Sequence, residues 1–175
     1  AIRAHIDNWR WSGVPFYLRT GKRMNKRCAE IVVEYKPVSH NVYDDSVGPI
    51  QPNRLVIRLQ PEESIQLTLM SKRLDNLEMQ LEPVTLNIEL SEQYKKGFHS
   101  DVYKRLMLDA AANNPALFIH RHEVRQAWQW IDPIVARWQE KGAPALYRAG
   151  SWGPEGADEL LAENGHVWFN AGEQV

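Results

Sequence analysis

RLVIRLQPEESIQLTLM, residues 54–70, is the stretch on which the fold turns. Leu55, Ile57 and Leu59 alternate with Arg54, Val56, Arg58 and Gln60. Gln60-Pro61-Glu62-Glu63 has the composition of a turn, and Ile65, Leu67 and Leu69 then alternate again within Ser64–Met70. A period of two marks a strand, because successive side chains leave opposite faces of the backbone. Two strands joined by so short a link must be antiparallel, since a parallel pair needs a long crossover.

The same alternation continues outward. Ala29, Ile31, Val33 and Tyr35 share one face of a strand, with Glu34 and Lys36 on the other. Residues 37–53 carry Pro, Ser, Asn, Asp and Gly and read as a loop. Ile2, Ala4 and Ile6 alternate with Arg3, His5 and Asp7, and Trp9-Arg10-Trp11 is read as a continuation of that strand. Ser12-Gly13 bends the chain into Val14–Leu18, where Pro15 points to an edge because it cannot donate to a ladder. Val84, Leu86, Ile88 and Leu90 mark a last strand. With no helix between them, these strands form an antiparallel sheet.

The period then changes. Asp101 suits an N-cap, and Val102, Leu106 and Ala110 follow at helical spacing until Asn113-Asn114-Pro115. A longer helix is expected from about Glu123 to Gln139, with Val124, Trp128, Ile131, Val135 and Trp138 three or four apart. Pro133 should kink or break it, and Gly142-Ala143-Pro144 should stop it. A third helix is expected around Ala157–Leu161, with Pro154 in its first turn and Gly165 at C′. Strands followed by helices give an α+β fold, a mainly antiparallel sheet with helices after it, in one domain spanning residues 1–175.

The composition narrows the function classes. Lys plus Arg is 21 against 22 for Asp plus Glu, which argues against a general nucleic-acid or membrane-surface binder. At 43% hydrophobic and 25% charged, 175 residues suit one soluble domain with a sizeable core. The seven tryptophans are read as core residues. A single cysteine, Cys28, rules out an internal disulfide and suggests a reducing, cytoplasmic compartment. No apolar run approaches the ~18 residues of a membrane helix. Ala1 leads directly into strand-like sequence, so the chain is expected to be part of a longer one.

Against this neutral background FYLRTGKRMNKR, residues 16–27, stands out, because five of the nine residues from Arg19 to Arg27 are basic and none is acidic. Gly21 can take a positive φ and fold the chain back, so that Lys22 and Arg27 hold one anion from two sides. The plainer alternative is a solvated basic hairpin. Arg58 and Gln60 share a strand face by the period of two and could equally face water. His120 and His122 lack companions for a metal site, and none is expected. No Ser-His-Asp order or Gly-rich phosphate loop supplies a recognisable reaction.

The run IDNWRWSGVPFYLRTGKR, residues 6–23, resembles the glucose-6-phosphate dehydrogenase family, whose C-terminal domain carries IDNWRW-x-GVPF-x-LR-x-GK. Residues 54–61 are similar to its L-x-I-R-x-QP strand, residues 101–109 to its DAYERL-x-LD helix, and residues 118–128 to its F-x-R-x-DEV-x-x-AW segment. Residues 149–154, AGSWGP, match its closing turn. The resemblance implies the C-terminal domain alone, without the N-terminal dinucleotide-binding domain and its RIDHYLGK segment. It implies hydride transfer from C1 of glucose 6-phosphate to NADP (in some members NAD), giving 6-phosphogluconolactone in the pentose phosphate pathway. The catalytic histidine would lie in the missing half, so no catalytic residue is expected here and the chain alone is expected to be inactive.

By motif, the family's substrate contacts fall on Lys22, Arg27 and Gln60. Some animal members hold a second, structural NADP on this domain. Arg19 and Arg58 match two of its contacts, but Cys28 stands for its Lys, Val32 for its Arg, and Gln66-Leu67-Thr68 lack its Tyr and Lys. No cofactor-binding residue is therefore expected in this chain. The resemblance further implies a homodimer or tetramer assembled through the sheet, which fits apolar residues on both faces near Ile31–Val33 and Val56–Ile57. A non-catalytic oligomerisation or sugar-phosphate-sensing module is the competing reading.

Overall fold

A computed structural model describes residues 1–43, 47–74, 79–89 and 102–170. Its internal contacts divide the chain into two compact units, Ala1–Lys96 with Arg148–Val175, and Gly97–Tyr147.

The first unit is built on two antiparallel sheets. β1 (Ile2–Ala4) pairs with β2 (Phe16–Leu18), with Ile2 opposite Leu18. β3 (Ala29–Glu34), β4 (Arg54–Gln60), β5 (Ser64–Lys72) and β6 (Leu81–Glu89) form a four-stranded meander in that order. The α+β class and the antiparallel pairing thus follow the sequence pattern, but the sheet expected as one is two. The first strand stops at Ala4, and residues 8–13 turn instead of extending it. Gly13 takes φ +75°, the left-handed region a side chain disfavours, and reverses the chain towards β2. Pro15 sits just outside β2, and Pro83 lies in β6, an edge strand, where a missing N–H costs no central ladder bond.

Register aligns the apolar side chains into rows. Ile31, Ile57, Ile65 and Ile88 lie abreast, as do Val33, Leu55, Leu67 and Leu86, and Leu69 pairs with Val84. This face remains open at its margins, where Ile31 is 51% and Leu86 56% exposed. The opposite face is polar at its edges. Arg54 pairs with Glu34 at 3.3 Å, Arg58 with Glu30 at 3.7 Å, and the Thr68 and Thr85 hydroxyls share a hydrogen bond of 3.0 Å. Its centre is Val56, which is buried.

That second face is met by residues that follow the last helix. Helix α3 (Glu155–Ala162) belongs to the same unit as the sheets, and Ala157 and Leu161 on it are buried. Pro154 is its N-cap and not a first-turn residue, and Gly165, at φ +72°, turns the chain back after it. Residues 166–170 then lie against the sheets. Tyr17 meets His166 and Trp168 edge to face, and the Arg54 guanidinium stands 5.2 Å from the Phe169 ring centre. Arg3 of β1 reaches Glu163 at 3.1 Å.

The second unit is helical. α1 (Val102–Ala111) ends where Asn113 takes φ +53°, and Asn114 caps a short 3-10 turn, Pro115–Leu117. The expected cap at Asp101 lies outside the described residues, as does the strand position Leu90. α2 (Arg121–Glu140) begins two residues earlier than the periodicity suggested, because His120 caps it. The His120 ring accepts from the His122 N–H while the Glu123 carboxylate accepts from the His120 N–H, a reciprocal capping box. The helix runs unbroken through Pro133 and stops before Gly142 at φ +98°.

The expected sizeable core is not seen among the described residues, where only Val47, Val56, Ala157 and Leu161 are buried apolar side chains. The tryptophans depart from expectation in the same direction. Trp9 is fully exposed, Trp11, Trp128, Trp130 and Trp138 are exposed, and only Trp152 and Trp168 are half-buried. So few buried side chains make each one count. Leu161→Ala should lower stability by about 2–4 kcal/mol, a buried leucine truncated beside a small core. Urea unfolding followed by circular dichroism measures it, and an unchanged midpoint would remove α3 from the core.

Candidate functional site

The basic turn is the connection from β2 to β3, residues 19–28. Its first limb is anchored by Arg19, one residue beyond β2. The Arg19 guanidinium lies 4.8 Å from the Trp152 ring centre and 4.3 Å from that of Trp168, and its Nη2 donates to Asn170 Oδ1 at 2.7 Å. A guanidinium plane stacks well on indole faces, where the ring quadrupole attracts the cation.

The turn itself closes two residues later than its glycine suggested. The left-handed position is Arg23, at φ +54°, whereas the sequence directed attention to Gly21. The conformation is held from outside. The Arg23 carbonyl accepts from the Gly150 N–H at 2.8 Å, and the Asn25 N–H donates to the Ser151 carbonyl at 3.0 Å. Gly150 is left-handed at φ +82°, a backbone that residues with a side chain rarely adopt. Residues 149–154 thus grip the basic turn, a partnership that no spacing rule in the sequence announces.

Gln60 arrives from the other side of the sheet end. It is the last residue of β4 and pairs with Ala29, two residues after Arg27. Between Arg58 and Gln60 the ladder has a bulge that leaves Leu59 as the extra residue. The expected shared face of Arg58 and Gln60 therefore no longer follows from alternation, because a bulge re-aims the residues around it. Arg58 does not simply face water, as alternation allowed, but is half-buried and paired with Glu30. Gln60 is exposed, as are Lys22 and Arg27. Arg27 thus lies two residues before the strand partner of Gln60 at one end of the large sheet, and Lys22 lies in the same connection.

The chemistry available there is recognition. Lys22 offers a compact cation, Arg27 a planar fork of donors, and Gln60 a neutral amide that both donates and accepts. His120 and His122 do something else: their rings stack 5.2 Å apart at the start of α2, where His120 serves as the cap. No group of three metal-ligating side chains occurs among the described residues.

Residues 1–169 match the family model described as "Glucose-6-phosphate dehydrogenase, C-terminal domain". The chain is 46% identical over 172 residues to the glucose-6-phosphate 1-dehydrogenase of Rhizobium meliloti, covering 98% of this chain and 35% of that one. It is 44% identical over 173 residues to the enzyme of Zymomonas mobilis, covering 97% and 36%. Among solved structures, "Glucose-6-phosphate dehydrogenase in complex with its substrate glucose-6-phosphate" superposes with a TM-score of 0.82 at 30% identity, over 96% of this chain and 34% of the other. The glucose-6-phosphate 1-dehydrogenase of Mycobacterium avium gives 0.75 at 28% identity, over 97% and 34%. The chain thus spans about a third of the length of these relatives.

A left-handed arginine in the turn gives a direct check. Arg23→Gly should keep or slightly raise the melting temperature, because glycine adopts this backbone freely. Arg23→Val should cost about 1–2 kcal/mol, since a β-branched residue strongly resists positive φ. Thermal melts that rank the two variants in the opposite order would refute the turn geometry.

Proposed function

The chain belongs to the glucose-6-phosphate dehydrogenase C-terminal domain family, and we propose that its basic turn forms the phosphate-binding wall of a glucose-6-phosphate 1-dehydrogenase. The observation that carries this reading is the register that pairs Gln60 with Ala29, which puts Gln60 at the sheet end where the connection bearing Lys22 and Arg27 enters β3. A phosphate monoester carries close to two negative charges at neutral pH, and charge-assisted hydrogen bonds to Lys and Arg are the strong ones. Lys22 and Arg27 bind the phosphate, and Gln60 orients the sugar through a hydroxyl.

In the whole enzyme, C1 of glucose 6-phosphate is oxidised to the lactone, with NADP supplying the hydride acceptor. The residues described in this chain act at the other end of the sugar. They hold the phosphate and fix where C1 lies, so their contribution is orientation and binding and not proton transfer. Two features support a chain that itself holds no nucleotide. The arginines matching the family's second NADP site both have internal partners, Arg19 between two indoles and Arg58 beside Glu30. The lone thiol suits a cytoplasmic setting.

The open apolar face of the large sheet supports assembly. Rows of Ile and Leu left half-exposed along Ile31, Leu86 and Ile88 are a surface that water disfavours. A second copy of the chain laid across that face makes the homodimer, and a dimer of such dimers makes the tetramer.

In the natural full-length protein, Lys22→Ala should raise the KM for glucose 6-phosphate by about tenfold or more, the size of one lost charge-assisted contact. The KM for the coenzyme should not move, and an equal loss of both would make Lys22 structural. The 175-residue chain by itself should scatter light as a dimer and produce no NADPH from glucose 6-phosphate. A monomer at working concentration counts against sheet-mediated assembly, and measurable NADPH would relocate the catalytic base to this chain.

A further inference from the structure

Lys22 carries its charge on a flexible four-carbon stem, so its value to a ligand depends on where its backbone is held. Both sides of it are tied to distant parts of the chain. Three residues before it, Arg19 is clamped between Trp152 and Trp168, at 4.8 and 4.3 Å, and hydrogen-bonded to Asn170. Immediately after it, the Arg23 carbonyl accepts from Gly150, and Asn25 donates to Ser151. Residues 150–152 therefore touch the turn on both sides of Lys22. Trp168 and Asn170 contact Arg19 as well.

This arrangement uses the Arg19 cation internally. Its guanidinium carbon lies over both indole rings and its Nη2 donates to Asn170, while Lys22 and Arg27 are exposed. A residue that only helped the fold would not need to sit at the root of the ligand-bearing turn. Its alkyl stem starts from the backbone three residues from Lys22, so any shift of the clamp moves the turn directly. Trp168 is itself fixed, with its indole N–H donating to the Ala157 carbonyl of α3 at 2.9 Å. Helix α3, the last residues of the chain and the basic turn are thus linked in series.

We propose that Arg19, gripped by Trp152 and Trp168, is a positioning residue for Lys22, so that residues 150–152 and 168–170 set the affinity for the sugar phosphate without touching it. The proposal rests on the reading of Lys22 as a phosphate ligand. The experiment is steady-state kinetics on the natural full-length enzyme, comparing Arg19→Lys, Trp168→Leu, Trp168→Phe, Lys22→Ala and the double variant Arg19→Lys/Lys22→Ala.

Arg19→Lys keeps the charge and loses the planar stacking, so the KM for glucose 6-phosphate should rise about five- to tenfold, the worth of a partly buried cation–π pair. The kcat and the coenzyme KM should stay as they are. Trp168→Leu should behave alike, and Trp168→Phe should restore most of the affinity, because the ring face is kept. In the double variant, Arg19→Lys should add almost nothing to Lys22→Ala, since it acts through that residue.

Full additivity in the double variant overturns the proposal. So does an unchanged KM in Arg19→Lys beside a raised one in Lys22→Ala, an outcome that leaves the phosphate reading standing. A parallel fall of kcat and both affinities would mean that the clamp only stabilises the fold. If Lys22→Ala itself leaves the KM unchanged, the phosphate reading fails and the positioning role fails with it. Should Trp168→Leu not fold, Arg19→Lys and the double variant decide alone.

Discussion

The contact of one guanidinium with two indoles ties distant parts of the first unit together. Arg19 follows a three-residue strand, and Trp152 and Trp168 come from the other end of the sequence. A two-stranded sheet such as β1 and β2 is marginal in water by itself, so its contacts with the rest of the unit matter. Through the Arg19 contact, the pair is joined to helix α3 and to the face of the large sheet that holds Val56. Tyr17, Arg3 and Arg54 repeat the connection at neighbouring points, through His166, Glu163 and Phe169. The chain is thus held by many partly exposed polar–aromatic contacts, where a larger domain would use a deep core.

The thin core and the open sheet face have one cause. Apart from the bulge at Leu59 the ladder of the large sheet is regular, and the register brings isoleucine beside isoleucine and leucine beside leucine. Such rows lower the free energy only when something apolar covers them, at roughly 25 cal/mol for each square ångström removed from water. On the Val56 face residues 166–170 provide cover. The other face stays open at its margins among the described residues.

Much of the fold was legible. The hairpin of residues 54–72, the antiparallel order and the three helices all follow from periodicity and stop signals. The failures have physical reasons. Period-two counting could not see the bulge at Leu59, because an extra residue leaves the composition unchanged while shifting the ladder. Pro133 did not break α2, and His120 proved a cap although histidine ranks low among capping residues. The tryptophans were misread because burial depends on tertiary partners, which a count of aromatic residues does not carry.

The sequence by itself determined the strands, the helices and the three exposed side chains Lys22, Arg27 and Gln60, because alternation, caps and charge density are local properties. It also determined the family, since ordered motifs along nearly the whole chain are a one-dimensional signal. Only the tertiary structure decided how those side chains are carried. It put the left-handed turn at Arg23, set Gln60 opposite Ala29 across a bulge, and brought Trp152, Trp168 and Asn170 around Arg19. Residues more than a hundred positions apart have no common period, so their meeting is fixed by the packing of the whole unit and by nothing written beside either of them.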